Sequence, residues 1–392
     1  MRIALVIENF NPEGGGAERN VAEMARHLTA RQHAVTILCA DTPDAPPTNL
    51  DGIRVEKSAK GKPRLALGLW RFSRWATQRT YDGSFDVSLS VNNTVPATVL
   101  QPLGGTVKES QKQYTACRPS ALARGWKRFC LALTPKQRLL RRLEKKSLRD
   151  PRVKRIAALS DYVVRMLVEG YGVAQDRIAL IPNAVDVPAV SSEQRAAWRA
   201  QVRQGFKVPV DSVAYVFPAF NPRLKGVVPL MLAFKKLREK VKGVTLVLAG
   251  ANRYEDQHRA VALGIREGVR FIGQTQNMPM LYCAADVTVL PTFYDPSSRV
   301  VIESIALETP AITTLCNGAA GLITKDNGDR CGRVVADPWD IDGLAQAMAE
   351  LADPEERRRC ASACHGRVQQ LSMTRHVDQV EALLEACVKE GA

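Results

Sequence analysis

The sequence has no apolar run close to the roughly 20 residues needed to span a bilayer. Runs such as 244–249 break within a few residues, so no transmembrane helix is expected. The amino terminus has one basic residue and a short apolar run ending at Glu8, with no cleavage site, which argues against a secretory leader and for a buried first strand. Nine cysteines, an odd number, include no CxxC pair. That predicts reduced thiols packed as small apolar residues in a cytoplasmic protein, not a disulfide framework. Cys360, Cys364 and His365 sit in a helical stretch with no second ligand pair nearby, so no structural zinc is expected. Aromatic residues make up only 6% of the chain and no nucleic-acid-binding motif is present. Nucleic acid is therefore not an expected partner.

What is present is an ordinary globular composition, 45% apolar and 24% charged over 392 residues, which is long enough for two domains. The net charge of +15 is concentrated: between Lys108 and Arg155, sixteen Lys and Arg face three acidic residues, a local +13. Short β-rich runs alternate with helical periods, the pattern of a parallel sheet covered by helices. Strands are predicted at 2–7, 34–39, 86–91 and 153–159, then at 213–217, 244–249, 269–272, 287–290 and 311–313. Two prolines and an asparagine in Ile181-Pro-Asn-Ala-Val-Asp-Val-Pro188 break the helical period and mark a hinge. The expected division is a first doubly wound domain over 1–182, a hinge at 183–190 and a second doubly wound domain over 191–370. A carboxyl-terminal helix over 371–392, with an apolar face from Leu383, Leu384 and Cys387, must pack on something, the first domain being one option.

Three segments carry candidate chemistry. The first turn, Asn11-Pro-Glu-Gly-Gly-Gly-Ala-Glu-Arg19, lies between strand and helix, where Gly15 and Gly16 let backbone approach a ligand and a helix amino terminus favours an anion. It lacks the GxGxxG spacing of nicotinamide-binding enzymes. In the second half, Asn221-Pro-Arg223-Leu-Lys225-Gly226 puts two cations and a glycine at a sheet's carboxyl edge, a place for phosphate. Further on, Asp295-Pro-Ser297-Ser298 leads into a helix containing Glu303, with seven residues between it and Asp295. Ser297 and Ser298 suit a helix start, and the two carboxylates can accept from sugar hydroxyls. Asp340-Ile-Asp342 mimics a metal-binding DxD, but its context reads as a helix cap, and no metal is expected.

These motifs together resemble the retaining glycosyltransferases of the GT-B fold, family 4. The resemblance runs through Gly15-Gly16-Ala17-Glu18-Arg19, the Asn183-Ala-Val-Asp186 hinge, Arg223 with Lys225, Phe271-Ile-Gly273, Ala285-Asp286 and the stretch from Asp295 to Thr314. Within the family it is most similar to enzymes that extend a lipopolysaccharide core with glucose. It implies two Rossmann-like α/β domains facing a cleft, and transfer of a hexose from a uridine diphosphate sugar to a cell-envelope glycolipid or lipopolysaccharide core, with retention. The nucleotide sugar is then a co-substrate and no cofactor is required. Arg223 and Lys225 would bind the diphosphate, Asp295 the transferred sugar's hydroxyls and Glu303 the ribose. The family has Glu where this chain has Asp295, and many relatives place a histidine in the turn that here reads Gln101-Pro-Leu-Gly-Gly-Thr-Val-Lys108. The residue handling the proton is thus left unassigned. Acceptor specificity is expected in the first domain around 103–114.

The basic segment has two readings. Leu122, Trp126, Phe129 and Leu133 recur at one helical face with Arg124, Lys127 and Arg128 between them, and a second basic helix carries Arg141 and Arg142. Either the apolar residues pack on the domain, or the surface meets anionic lipid on the inner face of the cell membrane or an acidic glycolipid. Two other functional classes stay open: a donor-binding protein with impaired transfer, and a non-enzymatic polyanion binder.

Overall fold

The computed structural model describes residues 1–43, 50–58, 65–250, 254–275, 277–324 and 330–390. The chain forms two units, Met1–Asn183 together with Met373–Ala392, and Ala184–Ser372.

The first unit is built on β1 (Arg2–Asn9), β2 (Ala34–Asp41), β3 (Arg54–Lys57), β4 (Val87–Ser90), β5 (Val99–Leu100), β6 (Arg155–Ala158) and β7 (Ile178–Leu180). All pair in parallel, in the order β3-β2-β1-β4-β5-β6-β7. Ile3 to Ile7 of β1 are buried on both faces, as a central parallel strand must be when helices cover both sides. The helix Gly16–Ala30 turns Val21, Met24, Ala25 and Leu28 inward at spacings of three and four. The helix Met373–Lys389 belongs to this unit and buries Val377, Val380, Leu384 and Cys387. Arg31 and His33 both reach Glu381 at 2.5 Å, and Lys154 Nζ donates to the Cys387 carbonyl at 2.7 Å. His376, buried, bonds through Nδ1 to the Pro182 carbonyl at 2.7 Å. A carbonyl only accepts, so Nδ1 carries the hydrogen and Nε2 is left to accept from Gln101 at 3.2 Å.

The second unit repeats the winding with β8 (Val213–Ala219), β9 (Val244–Gly250), β10 (Val269–Gly273), β11 (Val287–Leu290), β12 (Ala311–Thr314) and β13 (Gly332–Val335), ordered β10-β9-β8-β11-β12-β13. Strand order reverses between β8 and β11, so the loops leaving their carboxyl ends diverge and open a crevice. Tyr215, Phe217, Leu246, Val289 and Ile302 lie in its apolar core. One charged cluster is buried alongside: Asp286 accepts from Arg203 at 2.6 Å, from Arg199 at 2.7 Å and from the Ala214 amide at 2.7 Å.

Every strand predicted from the sequence exists, with ends moved by up to two residues. Four were not anticipated, for identifiable reasons. Arg54–Lys57 is an edge strand without an apolar run, Val99–Leu100 has two residues, and Ile178–Leu180 has three. Gly332–Val335 opens on a glycine at φ +152, where a Cβ would lie 1.8 Å from the Ala311 carbonyl oxygen. All nine cysteines are free thiols, and burial pushes Cys360 and Cys283 above the ordinary thiol range.

Asp286→Ala would remove the counter-charge of Arg203, whose side chain is 5% exposed and otherwise donates to the backbone carbonyls of Pro209, Val210 and Ser212. Losing one partner of such a buried pair is expected to destabilise the second unit by about 3–5 kcal/mol, read as a lower urea midpoint with an unchanged m-value.

Candidate active site

The candidate residues of the second unit gather where β8 and β11 end. After β8 the chain makes a tight loop: Lys225 N–H donates to the Asn221 carbonyl at 3.0 Å and Val227 N–H to that of Pro222 at 2.9 Å. The loop is stitched to the one after β11, because Phe293 N–H donates to the Leu224 carbonyl at 2.9 Å. Gly226 sits at the crossing with φ +88, and a Cβ there would lie 2.0 Å from the Pro291 carbonyl oxygen. Only glycine fits a left-handed position at that approach. Thr292, buried, places its hydroxyl within 3.3 Å of the Leu224 carbonyl and accepts from the Tyr294 amide at 3.2 Å.

This stitching sets Lys225 against Asp295. Lys225 Nζ donates to Asp295 Oδ2 at 2.5 Å and to the Tyr294 carbonyl at 3.2 Å. Both side chains are largely buried, 23% and 14% exposed. An ammonium has three donors and these contacts use two. Arg223 points elsewhere: it is more exposed and meets Glu255 at 3.3 Å.

Asp295 is held by its backbone as well. Its N–H donates to the Cys316 carbonyl at 3.0 Å and its carbonyl accepts from Gly318 at 2.8 Å, a parallel bridge to Asn317. Asn317, 1% exposed, accepts from the amides of Ser298 at 3.2 Å and Ala319 at 3.0 Å and donates to Thr313 Oγ1 at 2.9 Å. Ser298 is the N-cap of the helix Arg299–Ala306, but its hydroxyl makes no capping bond. Asn317 takes the N-cap amide instead, and Asp295 Oδ1 accepts from the Ser297 amide just ahead of the helix at 3.3 Å. Within that helix Val301, Ile302 and Ile305 are buried, which turns Glu303 toward Tyr282. Glu303 accepts from the Tyr282 hydroxyl at 3.1 Å and from Arg299 Nε at 3.4 Å. Asn317, Thr292 and Tyr282 are absent from the sequence-derived set. Asn317-Gly318 is a turn dipeptide beyond β12, at the same sheet edge, and that was the available signal.

Gly15 and Gly16 lie in the first unit, at the end of β1. Glu18 Oε2 accepts from the Gly15 amide at 2.7 Å and Oε1 from the Asn11 amide at 3.1 Å. A Cβ on Gly14 would meet Glu18 Oε2 at 2.4 Å. The protein's own carboxylate therefore serves as the anion of this turn, a role the glycine pattern alone did not disclose. Asp340 caps the helix Ile341–Glu350 by accepting from Gly343 at 2.9 Å, while Asp342 pairs with Lys236 at 2.6 Å. Among the described residues no group of three or more His, Cys, Asp or Glu could hold a metal ion.

The basic segment forms helices Ala121–Leu133 and Pro135–Leu148. The first buries none of its residues: Leu122 is 88% exposed, Trp126 69%, Phe129 54% and Leu133 59%. The packed alternative is thereby removed. Arg128, Arg141 and Arg142 are exposed and Lys127 half-buried.

The glycosyl transferase 4-like domain family matches residues 15–184, and glycosyl transferases group 1 matches residues 211–354. Glycogen synthase of Mycobacterium tuberculosis is 29% identical over 184 residues, covering 41% of this chain and 42% of that protein. Lipopolysaccharide glucosyltransferase WaaG of Escherichia coli is 25% identical over 226 residues, 57% of this chain and 59% of that protein. These matches span about half the length of each relative. The crystal structure of WaaG, a glycosyltransferase involved in lipopolysaccharide biosynthesis, superposes with a TM-score of 0.79 at 19% identity, covering 97% of this chain and 99% of that one. That of Anabaena HepE with UDP-glucose gives 0.70 at 16% identity, covering 98% and 100%. Both share this chain's fold.

Gly226→Ala must push Pro291 away and hold alanine in a left-handed conformation, which alone costs about 1–2 kcal/mol. A drop in the second unit's urea stability of about 2 kcal/mol or more is expected, with the Lys225 loop displaced in a crystal structure of the variant.

Proposed function

This chain belongs to the glycosyl transferases group 1 family, with a glycosyl transferase 4-like first domain on a GT-B fold, and we propose that it is a retaining hexosyltransferase. Its donor would be a UDP-sugar, glucose-like, and its acceptor a hydroxyl of a cell-envelope glycolipid or lipopolysaccharide core. The observation that carries the reading is the Lys225–Asp295 pair at the sheet edge, 2.5 Å apart and fixed on both sides by backbone. The family resemblance, the lipopolysaccharide glucosyltransferase among the relatives and the UDP-glucose complex among the structural neighbours all support it.

In this reading Lys225 and Arg223 neutralise the donor diphosphate. Charge grows on the leaving diphosphate as the bond from the anomeric carbon breaks, so a cation already in place, as Lys225 is, lowers that barrier most, while Arg223 must leave Glu255 to join it. Asp295 keeps Lys225 oriented and, with lone pairs to spare, accepts from a hydroxyl of the transferred sugar. Glu303 takes the ribose hydroxyls. Retention requires the acceptor hydroxyl to arrive on the face the diphosphate leaves. The departing phosphate oxygen can then receive the acceptor's proton as the new glycosidic bond forms, a route that needs no histidine in the 101–108 turn. Two side-chain cations supply the neutralising charge, so the reaction is proposed to need no metal. The shorter Asp295 favours one alternative, a protein that binds donor but transfers poorly.

The exposed stripe from Leu122 to Leu133, flanked by Arg128, Arg141 and Arg142, suits peripheral binding to an anionic membrane on the cytoplasmic side. Among the described residues no helix is long and apolar enough to cross a membrane.

Arg223→Ala and Lys225→Ala are each expected to cut transfer from UDP-glucose by about 100-fold or more, with wild-type turnover unchanged by EDTA. Wild-type rates in both variants would contradict the diphosphate assignment. In flotation with phosphatidylglycerol vesicles, the wild type should rise with the lipid at low salt and be released at high salt. Trp126→Ala with Phe129→Ala should remain at the bottom. Salt-insensitive or absent flotation of the wild type contradicts the membrane reading.

A further inference from the structure

The first unit contains a cavity of about 470 Å³, within the usual range for small-molecule sites of roughly 300–1,000 Å³. It lies where β1, β4 and β5 end and is bordered by the two basic helices and the helix Val107–Ala116. Two carboxylates reach it, and they are in opposite situations. Glu144 is fully buried and saturated: it accepts from Asn93 Nδ2 at 3.0 Å, from the Val107 amide at 2.8 Å and from the Tyr171 hydroxyl. It builds the wall, fixing the loop that follows β5. Glu8 is half-buried at the end of β1, its amide bonded to Asn92 Oδ1 at 2.8 Å. Its carboxylate has no hydrogen-bond partner among the described residues.

A partly desolvated carboxylate without donors is an acceptor awaiting them. Around it the lining mixes neutral polar groups, Asn92, Thr94, Thr106 and Gln137, with apolar Val91, Leu131 and Leu140, which suits the hydroxyl edges and C–H faces of a sugar; among the described residues Lys127 lies in the wall and Lys136 near Glu8. Burial raises the Glu8 pKa and Lys136 opposes the rise, which places the carboxylate in a poorly solvated setting consistent with this geometry. We infer that the cavity binds a neutral sugar ring of the acceptor, and that Glu8 selects it by accepting from its hydroxyls while excluding acidic sugars. The acceptor role rests on the transferase reading above and narrows its substrate class. Phosphates elsewhere on such an acceptor would meet the Arg128, Arg141 and Arg142 surface instead.

The test uses the full chain with UDP added, and saturation-transfer NMR with a matched pair, methyl α-D-glucoside and methyl α-D-glucuronide. The wild type is expected to prefer the glucoside by about tenfold, since like charges brought together oppose binding. Glu8→Gln, which keeps the size and removes the charge, should narrow that preference to about twofold or less while its thermal shift with UDP-glucose stays as in the wild type. Glu8→Ala should weaken the glucoside itself. Equal preference in wild type and Glu8→Gln, or no saturation transfer to either glycoside, overturns the inference. A wild type with no UDP-glucose shift but with Glu8-dependent discrimination would retain sugar binding here and overturn its acceptor role.

Discussion

The contact between Gly226 and the Pro291 carbonyl is the constraint on which the second unit's site depends. Because no side chain stands between them, the loop leaving β8 can lie directly against the loop leaving β11. The Leu224 carbonyl then bonds to Phe293, and Lys225 arrives beside Asp295. The same β11 loop is anchored from its other side through the Asp295–Asn317 bridge, and Asn317 also caps the helix that carries Glu303. A cation, an acidic partner and a second carboxylate are thus positioned by backbone geometry more than by side-chain packing. Such a site loses little entropy when a ligand arrives, which is what preorganisation contributes to binding and to rate.

Much of the fold was legible because parallel strands covered on both faces leave continuous apolar runs, and the runs at 2–7, 213–217 and 287–290 are of that kind. Edge strands such as Arg54–Lys57 have one face and one edge free, need no such run, and left no trace. The site was legible where residue type implied chemistry. Arg223, Lys225, Asp295 and Glu303 do lie at one sheet edge, although Arg223 faces Glu255 and not the Lys225–Asp295 pair. What could not be read was which backbone amides are already taken. Gly15 looked free for an anion, yet Glu18, three residues on, uses it. Asn317 was hidden because its role depends on a contact with Ser298, nineteen residues away in the chain.

The first unit shows the complementary case. The periodicity of Leu122, Trp126, Phe129 and Leu133 established an apolar face without saying what covers it, and only the fold leaves it uncovered. Glu8 read simply as the residue ending a strand. Its interest comes from long-range placement, at a cavity whose other carboxylate is fully satisfied. The basic helices frame that cavity and carry the exposed apolar stripe on the same short stretch of chain, so lipid contact and acceptor capture would draw on one structural element.

In the proposed transfer Lys225, held by Asp295, grips the donor diphosphate while Asp295 reads the sugar. Calorimetric titration of UDP and UDP-glucose into wild type, Lys225→Ala and Asp295→Ala separates the two roles. Lys225→Ala is expected to weaken both ligands by about tenfold or more, whereas Asp295→Ala leaves UDP within a few-fold and loses the added affinity for UDP-glucose. Wild-type affinity for UDP in Lys225→Ala would contradict it.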